Sequence, residues 1–142
     1  MRFIAAALSL FTALAAANTQ TVEVSALHMA GRGNLATSSV HFDTTSFTLD
    51  KGSAYEVSCK ADYVTAIPSG RFTGECLYPG GDRAPWAFSY DKITESSKFL
   101  LTLYNSDGAA RTGRGTVPTS CSVNGDEFTC DQSELISITV SA

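Results

Sequence analysis

Residues 121–130 read Cys-Ser-Val-Asn-Gly-Asp-Glu-Phe-Thr-Cys. Asn-Gly between alternating residues is a strong hairpin signal, because tight turns between twisted strands need backbone conformations these two residues tolerate. With a four-residue loop over 124–127, Val123 faces Phe128 and Cys121 falls directly opposite Cys130. Opposed residues of an antiparallel pair lie about 4.5–5.5 Å apart, a separation a disulfide spans. The stretch therefore predicts an antiparallel hairpin closed by its own bridge. The chain holds four cysteines, so Cys59 pairs with Cys76 by elimination, closing a loop that contains Pro68-Ser69-Gly70. Zinc ligation fails on spacing, since there is no Cys-x-x-Cys and no histidine pair at helical or finger spacing. No metal and no cofactor is expected, as neither a P-loop nor a dinucleotide fingerprint occurs.

Outward from this hairpin the apolar residues keep to period two. Val22 and Val24, Val40 and Phe42, Phe47 and Leu49, and Tyr55, Val57 and Cys59 alternate with polar neighbours. So do Trp86, Phe88 and Tyr90, then Phe99, Leu101 and Leu103, with Leu100 adding burial on the second face. Ile136, Ile138 and Val140 close the series. Turn residues punctuate the runs at Asp50-Lys51-Gly52, Pro79-Gly80-Gly81-Asp82 and Asn105-Ser106-Asp107-Gly108. Short strands about ten residues apart predict an all-β, single-domain antiparallel β-barrel or sandwich stapled by two disulfides. At most one helical turn is expected, over residues 61–67.

Residues 1–17 have the form of a signal peptide. Met1-Arg2 supplies a positive start, Phe3–Leu14 an apolar run of about a dozen residues, and Ala15-Ala16-Ala17 the small residues before cleavage. That run is too short to cross a bilayer core of about 30 Å as a helix. No second stretch of spanning length follows, so a secreted, extracellular domain of residues 18–142 without stable membrane insertion is expected. An even cysteine count suits that compartment. The domain carries nine Lys/Arg against fourteen Asp/Glu, a balance of −5. Nucleic acid is not expected as a partner, because phosphate binding needs clustered cations. The densest basic run, Arg111-Thr112-Gly113-Arg114-Gly115, reads as a solvated hairpin end.

Catalytic signatures are missing. The two histidines, His28 and His41, are not set in a nucleophile motif, and no Gly-x-Ser-x-Gly elbow is present. His41 and Asp43 share the outward face of a strand. A ribonuclease-like hydrolase would need His, Glu and Arg converging on a phosphate; His28, His41, Glu56, Glu75 and Arg71 are of the right type, but no spacing unites them. The expectation is a protein with no catalytic residues. Aromatics near the loop Pro79–Pro85 offer a binding alternative, since Tyr and Trp bring large contact area with few rotors to freeze. Tyr78, Arg83 and Trp86 are the candidate ligand-binding residues, and Tyr63 is a further aromatic nearby. Trp86 also reads as the largest core residue of its strand. Tyr63, Tyr78 and Trp86 set tangentially on one face would favour a carbohydrate-binding module; a cleft joining a histidine to two carboxylates would favour the hydrolase.

The order of features resembles the secreted fungal family typified by the Alternaria major allergen, whose members include plant-defence elicitors. The residues that carry the likeness are Leu49–Cys59 with its Gly52 turn, Cys76, Phe88-Ser89-Tyr90-Asp91 and Phe99–Leu103. They continue through Gly113-Arg114-Gly115, Pro118, Cys121, Asn124-Gly125, Cys130 and the strand Ile136–Val140. The likeness covers roughly residues 20–141 and extends to short elicitors of rice blast type. It implies a β-barrel-like fold, secretion to the host interface and recognition by, or action on, a plant, through a host protein or a small molecule; it implies no catalytic residues. Family members can carry a further cysteine near the mature N-terminus that joins two protomers. Asn18–Leu49 contains none, so no disulfide-linked dimer is expected, while a noncovalent dimer stays open.

Overall fold

Among the described residues, alternation of apolar and polar residues produces nine strands: β1 (Thr19–Gly33), β2 (Val40–Leu49), β3 (Val57–Asp62), β4 (Glu75–Leu77), β5 (Trp86–Ile93), β6 (Lys98–Asn105), β7 (Arg111–Asn124), β8 (Glu127–Gln132) and β9 (Ile136–Ser141). The computed structural model describes residues 18–35, 40–62, 74–93 and 98–142. The predicted signal peptide, Tyr63 and Arg71 lie outside the described residues; of the helical turn expected over 61–67, Ala61 and Asp62 belong to strand β3 instead, and the rest lies outside the described residues.

All strands belong to one antiparallel sheet in the order β4-β3-β2-β1-β8-β7-β6-β5, with β9 pairing β1 and β7. β1 and β7 span 15 and 14 residues, long enough to be flanked by two strands in succession. β8 pairs with His28–Arg32 of β1 and with Thr119–Asn124 of β7. β9 pairs with Thr19–Val24 of β1 and bridges Thr112 of β7 through Ser141. The two short strands therefore sit end to end in one slot between the two long ones.

That slot explains the glycines of the basic run. Residues 111–115 form the start of β7 rather than a solvated hairpin end, correcting the sequence expectation. A Cβ on Gly113 would strike the Thr139 backbone of β9, and one on Gly115 would press on the Ile138 side chain. The glycines admit a close strand, a common reason for glycine within a sheet.

The sheet curls until its ends face each other across one core. Phe47 of β2 meets Phe88 of β5 edge-on at 4.7 Å between ring centres. Phe42 meets Tyr90, Phe99 and Phe128 at 5.1, 5.8 and 5.7 Å. Edge-to-face arrangements of this kind set positive ring edges against negative ring faces. Leu27, Met29, Leu49, Leu101, Leu103 and Ile138 fill the remaining interior. The buried Thr45 hydroxyl donates to the Tyr90 hydroxyl oxygen at 2.7 Å. Burial pushes the Tyr90 phenol well above its usual range, with the Thr45 hydrogen bond opposing that rise.

Both disulfides join in-register neighbours, Cys59 to Cys76 across β3 and β4 and Cys121 to Cys130 across β7 and β8, each with Cα atoms 4.0 Å apart. Val123 faces Phe128 as expected, but Asn124 also pairs with Glu127, so the loop is the two residues Gly125-Asp126 rather than four. Gly125 takes φ 66°, as the first central residue of such a turn requires. Tyr55 leaves the strand alternation: β3 starts at Val57, and Tyr55 stands in the preceding turn, 75% exposed.

Candidate functional site

Antiparallel connectivity gathers one set of turns at one end of the barrel. β2 ends at Leu49, β3 begins at Val57, β4 ends at Leu77, β5 begins at Trp86, β6 ends at Asn105 and β7 begins at Arg111. The turns over 50–56, 78–85 and 106–110 therefore share this end, here called the mouth.

Each turn is held by its own polar residues. Asp50 exchanges bonds with Glu23 of β1: its N–H donates to the Glu23 carbonyl at 2.9 Å, and its carboxylate accepts from the Glu23 N–H at 2.8 Å. Glu56 accepts from the Gly52 N–H. After β4, Tyr78 N–H donates to Asp82 O and Gly81 N–H to Tyr78 O, forming a tight reversal. Ala84 N–H then returns to Cys76 O, and Ser106 N–H reaches Pro85 O. The segment 82–85 thus bonds β4 on one side and the β6 turn on the other. At 4% exposure, Asn105 is buried; its side-chain oxygen accepts from Asp107 N–H at 2.9 Å and from Arg111 Nη2 at 3.1 Å.

Two concavities result, sharing Pro85, Trp86 and Asn105 as a wall. The smaller, about 160 Å³, opens between Tyr55, Tyr78 and Trp86 and contains Asp50 and Asp107. The larger, about 510 Å³, lies on the other side of Trp86 between Arg83, Tyr104 and Arg111, with Ser106 and Thr112 on its rim. Trp86 therefore separates an acidic cup from a basic groove. Neither Arg83 nor Arg111 reaches a carboxylate within ion-pair distance among the described residues, whereas Arg32 lies 3.4 Å from Asp43.

The fold brings Tyr78, Arg83 and Trp86 together at this mouth. Tyr78 is 40% exposed; Trp86 is half-buried, packing on the core with one side and lining both concavities with the rest. Tyr55, Tyr104, Asn105 and Arg111 belong to the same surface and were not singled out in the sequence. Tyr55 was hidden by its false period-two match, and Arg111 by the glycines around it.

The histidines lie elsewhere. His28 on β1 bonds Asp131 on β8 at 2.6 Å, and His41 sits 3.3 Å from Asp43. Each meets one carboxylate on an outer strand face, and among the described residues neither joins two carboxylates in a cleft. Among the described residues, no three His, Cys, Asp or Glu side chains cluster as metal ligands, and no helix is long and apolar enough to cross a membrane.

A disulfide-stapled antiparallel β-barrel with an aromatic, charge-divided mouth is the class that fold and site define. No family model and no curated protein matches the chain. Among solved structures it is similar to the crystal structure of Alternaria alternata allergen Alt a 1, at 21% identity and a TM-score of 0.55 over 84% of this chain and 86% of that one. A second crystal structure of the Alternaria alternata major allergen Alt a 1 matches at 18% identity and a TM-score of 0.54, over 84% and 91%. The likeness establishes a shared fold, as the residue order implied. Two disulfides and this fold suit an extracellular protein.

Proposed function

We propose that the protein is a secreted fungal elicitor or effector that binds a host plant protein or small molecule through its mouth, triggers plant defence or cell death, and performs no catalysis. The observation that carries this reading is the convergence of Tyr55, Tyr78 and Trp86 on one concavity of a stapled barrel. Exposed aromatic side chains are costly to leave in water and are the residues that most often anchor interfaces. The fold likeness to the Alt a 1 allergen structures supports the same class of protein. A rigid barrel displaying short, internally bonded turns presents its ligand with a surface already in shape, which lowers the entropy lost on binding.

Infiltration of the purified protein, residues 18–142, into leaf tissue tests the reading. Native protein is expected to cause cell death and an oxidative burst, heat-treated protein less, and the double variant Tyr55→Ser/Tyr78→Ser little or none. Silence from folded native protein at micromolar dose would sink it, as would full activity in the double variant.

A further inference from the structure

We infer that the groove between Arg83, Trp86 and Arg111 binds carboxylated oligosaccharides, that is, chains of uronic acid residues. The inference rests on the binding-protein reading only in using the same end of the barrel.

Charge is the first argument. The chain is acidic overall, with a formal net charge of −4, yet the charged side chains lining this groove are both arginines. Arg32 is answered by Asp43, while Arg83 and Arg111 meet no carboxylate among the described residues. Arg111 is instead aimed by its bond to the buried Asn105 amide. Guanidinium groups bind carboxylates through paired, parallel hydrogen bonds, so two of them suit a ligand with repeated planar anions.

The uncharged lining then selects among anionic ligands. Trp86 and Tyr104 give flat amphipathic faces against which the C–H faces of sugar rings can stack, and the Ser106 and Thr112 hydroxyls match a hydroxylated ligand. At about 510 Å³ the groove falls within the usual range for small-ligand sites. Ala84 N–H is spent on Cys76 O, and Pro85 O accepts from Ser106, so at these positions the groove offers a ligand side chains rather than backbone groups. Side chains do the recognising here, and their chemistry is that of an acidic sugar.

Trp86 is the only tryptophan in the chain, so its fluorescence reports on the groove directly. Titration with a short oligogalacturonide is expected to give a saturable change, which the fully methyl-esterified oligomer, a neutral galacto-oligosaccharide and a poly-glutamate peptide do not reproduce. Arg83→Gln and Arg111→Gln should each weaken binding about tenfold, the usual scale for losing a charge-assisted contact. Thermal midpoints confirm that the variants are folded, and Arg83→Lys should recover part of the affinity. No saturable change with folded protein, equal binding of the esterified oligomer, tighter binding of poly-glutamate, or unchanged affinity in both glutamine variants each overturns the assignment. Oligogalacturonide binding with a silent leaf would retain this site and discard the elicitor reading; a leaf response without such binding would do the reverse.

Discussion

The seam of the sheet and the mouth of the barrel differ in what they do with polar groups. At the seam where β8 hands its place to β9, the protein closes the gap from within. Gln132 donates to Val24 O at 2.8 Å and to Glu134 O at 2.6 Å, and accepts from Leu27 N–H at 3.0 Å. Ser133 N–H reaches Pro118 O. The bulge this spans in β1 holds Ala26 at φ 56°, a conformation alanine adopts only under constraint. One group is left over, the buried Ser25 hydroxyl, which has no hydrogen-bond partner among the described residues. At the mouth the backbone is equally well tied, yet the side chains of Arg83, Tyr55 and Tyr78 stay outward and available. The seam is structural because its side chains serve the chain; the mouth has side chains to spare for something else.

The largest test of that contrast is the pair of disulfides. Cys59–Cys76 holds β4, and with it the 78–85 turn of the mouth, whereas Cys121–Cys130 holds a hairpin beside the seam. Replacing both members of either bridge with serine should cost about 3 kcal/mol. The sequence separations are 17 and 9, so loop entropy makes the first loss larger by roughly 0.5 kcal/mol. Urea midpoints measure both, and the leaf response of the still-folded fraction should fall only for the Cys59/Cys76 variant. Equal loss of response in both would erase the distinction between the two regions.

Gln132→Ala should come next, at about 2 kcal/mol, because it strips three hydrogen bonds and leaves Leu27 N–H without its acceptor. The fluorescence response of Trp86 to ligand should be unchanged in this variant once stability is allowed for. A loss near zero would mean that water replaces the amide and that the seam is as open as the mouth.

How far these regions could be read beforehand follows from the kind of signal each carries. The hairpin at 121–130, the bridge pairing and the interior alternation of Phe47, Leu49, Phe88, Leu101 and Leu103 depend on local period and turn chemistry, and were legible. The seam was not, because nothing local marks Gln132 as the side chain that spans two strand ends. The mouth was half legible. Tyr78, Arg83 and Trp86 flank a turn and drew notice, whereas Tyr104 and Arg111 join them only through the β5–β6–β7 pairing of Trp86 with Asn105 and Asn105 with Arg111. Gly113 misled for the same reason, since a glycine that admits a distant strand looks in sequence like one that makes a turn.

Tyr90 of β5 is a polar group closed inside the core. Its folded pKa is raised, so the folded state holds the phenol proton where the unfolded chain releases it. Its contribution to stability is therefore complete below the unfolded pKa of about 10 and declines as pH rises above it. Tyr90→Phe should cost about 1 kcal/mol at neutral pH, because the Thr45 hydroxyl loses its acceptor. The variant should also show a shallower fall in thermal midpoint above about pH 10 than the parent. Parallel pH profiles would place the alkaline sensitivity in other groups.

The smallest effect on stability should accompany the largest on function. Tyr55 is 75% exposed and Val123 is 64% exposed, at opposite ends of the barrel. Truncating either to serine removes little packing, so both variants should unfold within about 0.5 kcal/mol of the parent. Structure alone treats the two residues alike: each is an apolar side chain left in water. Position separates them, because Tyr55 lines the acidic cup beside Tyr78 and Trp86, whereas Val123 stands beside the Gly125-Asp126 turn. Tyr55→Ser is therefore expected to reduce the leaf response and Val123→Ser to leave it intact. If the two variants respond equally, exposure of an aromatic at the mouth has no more functional meaning than exposure of a valine at the far end, and the contrast between the two regions reduces to packing.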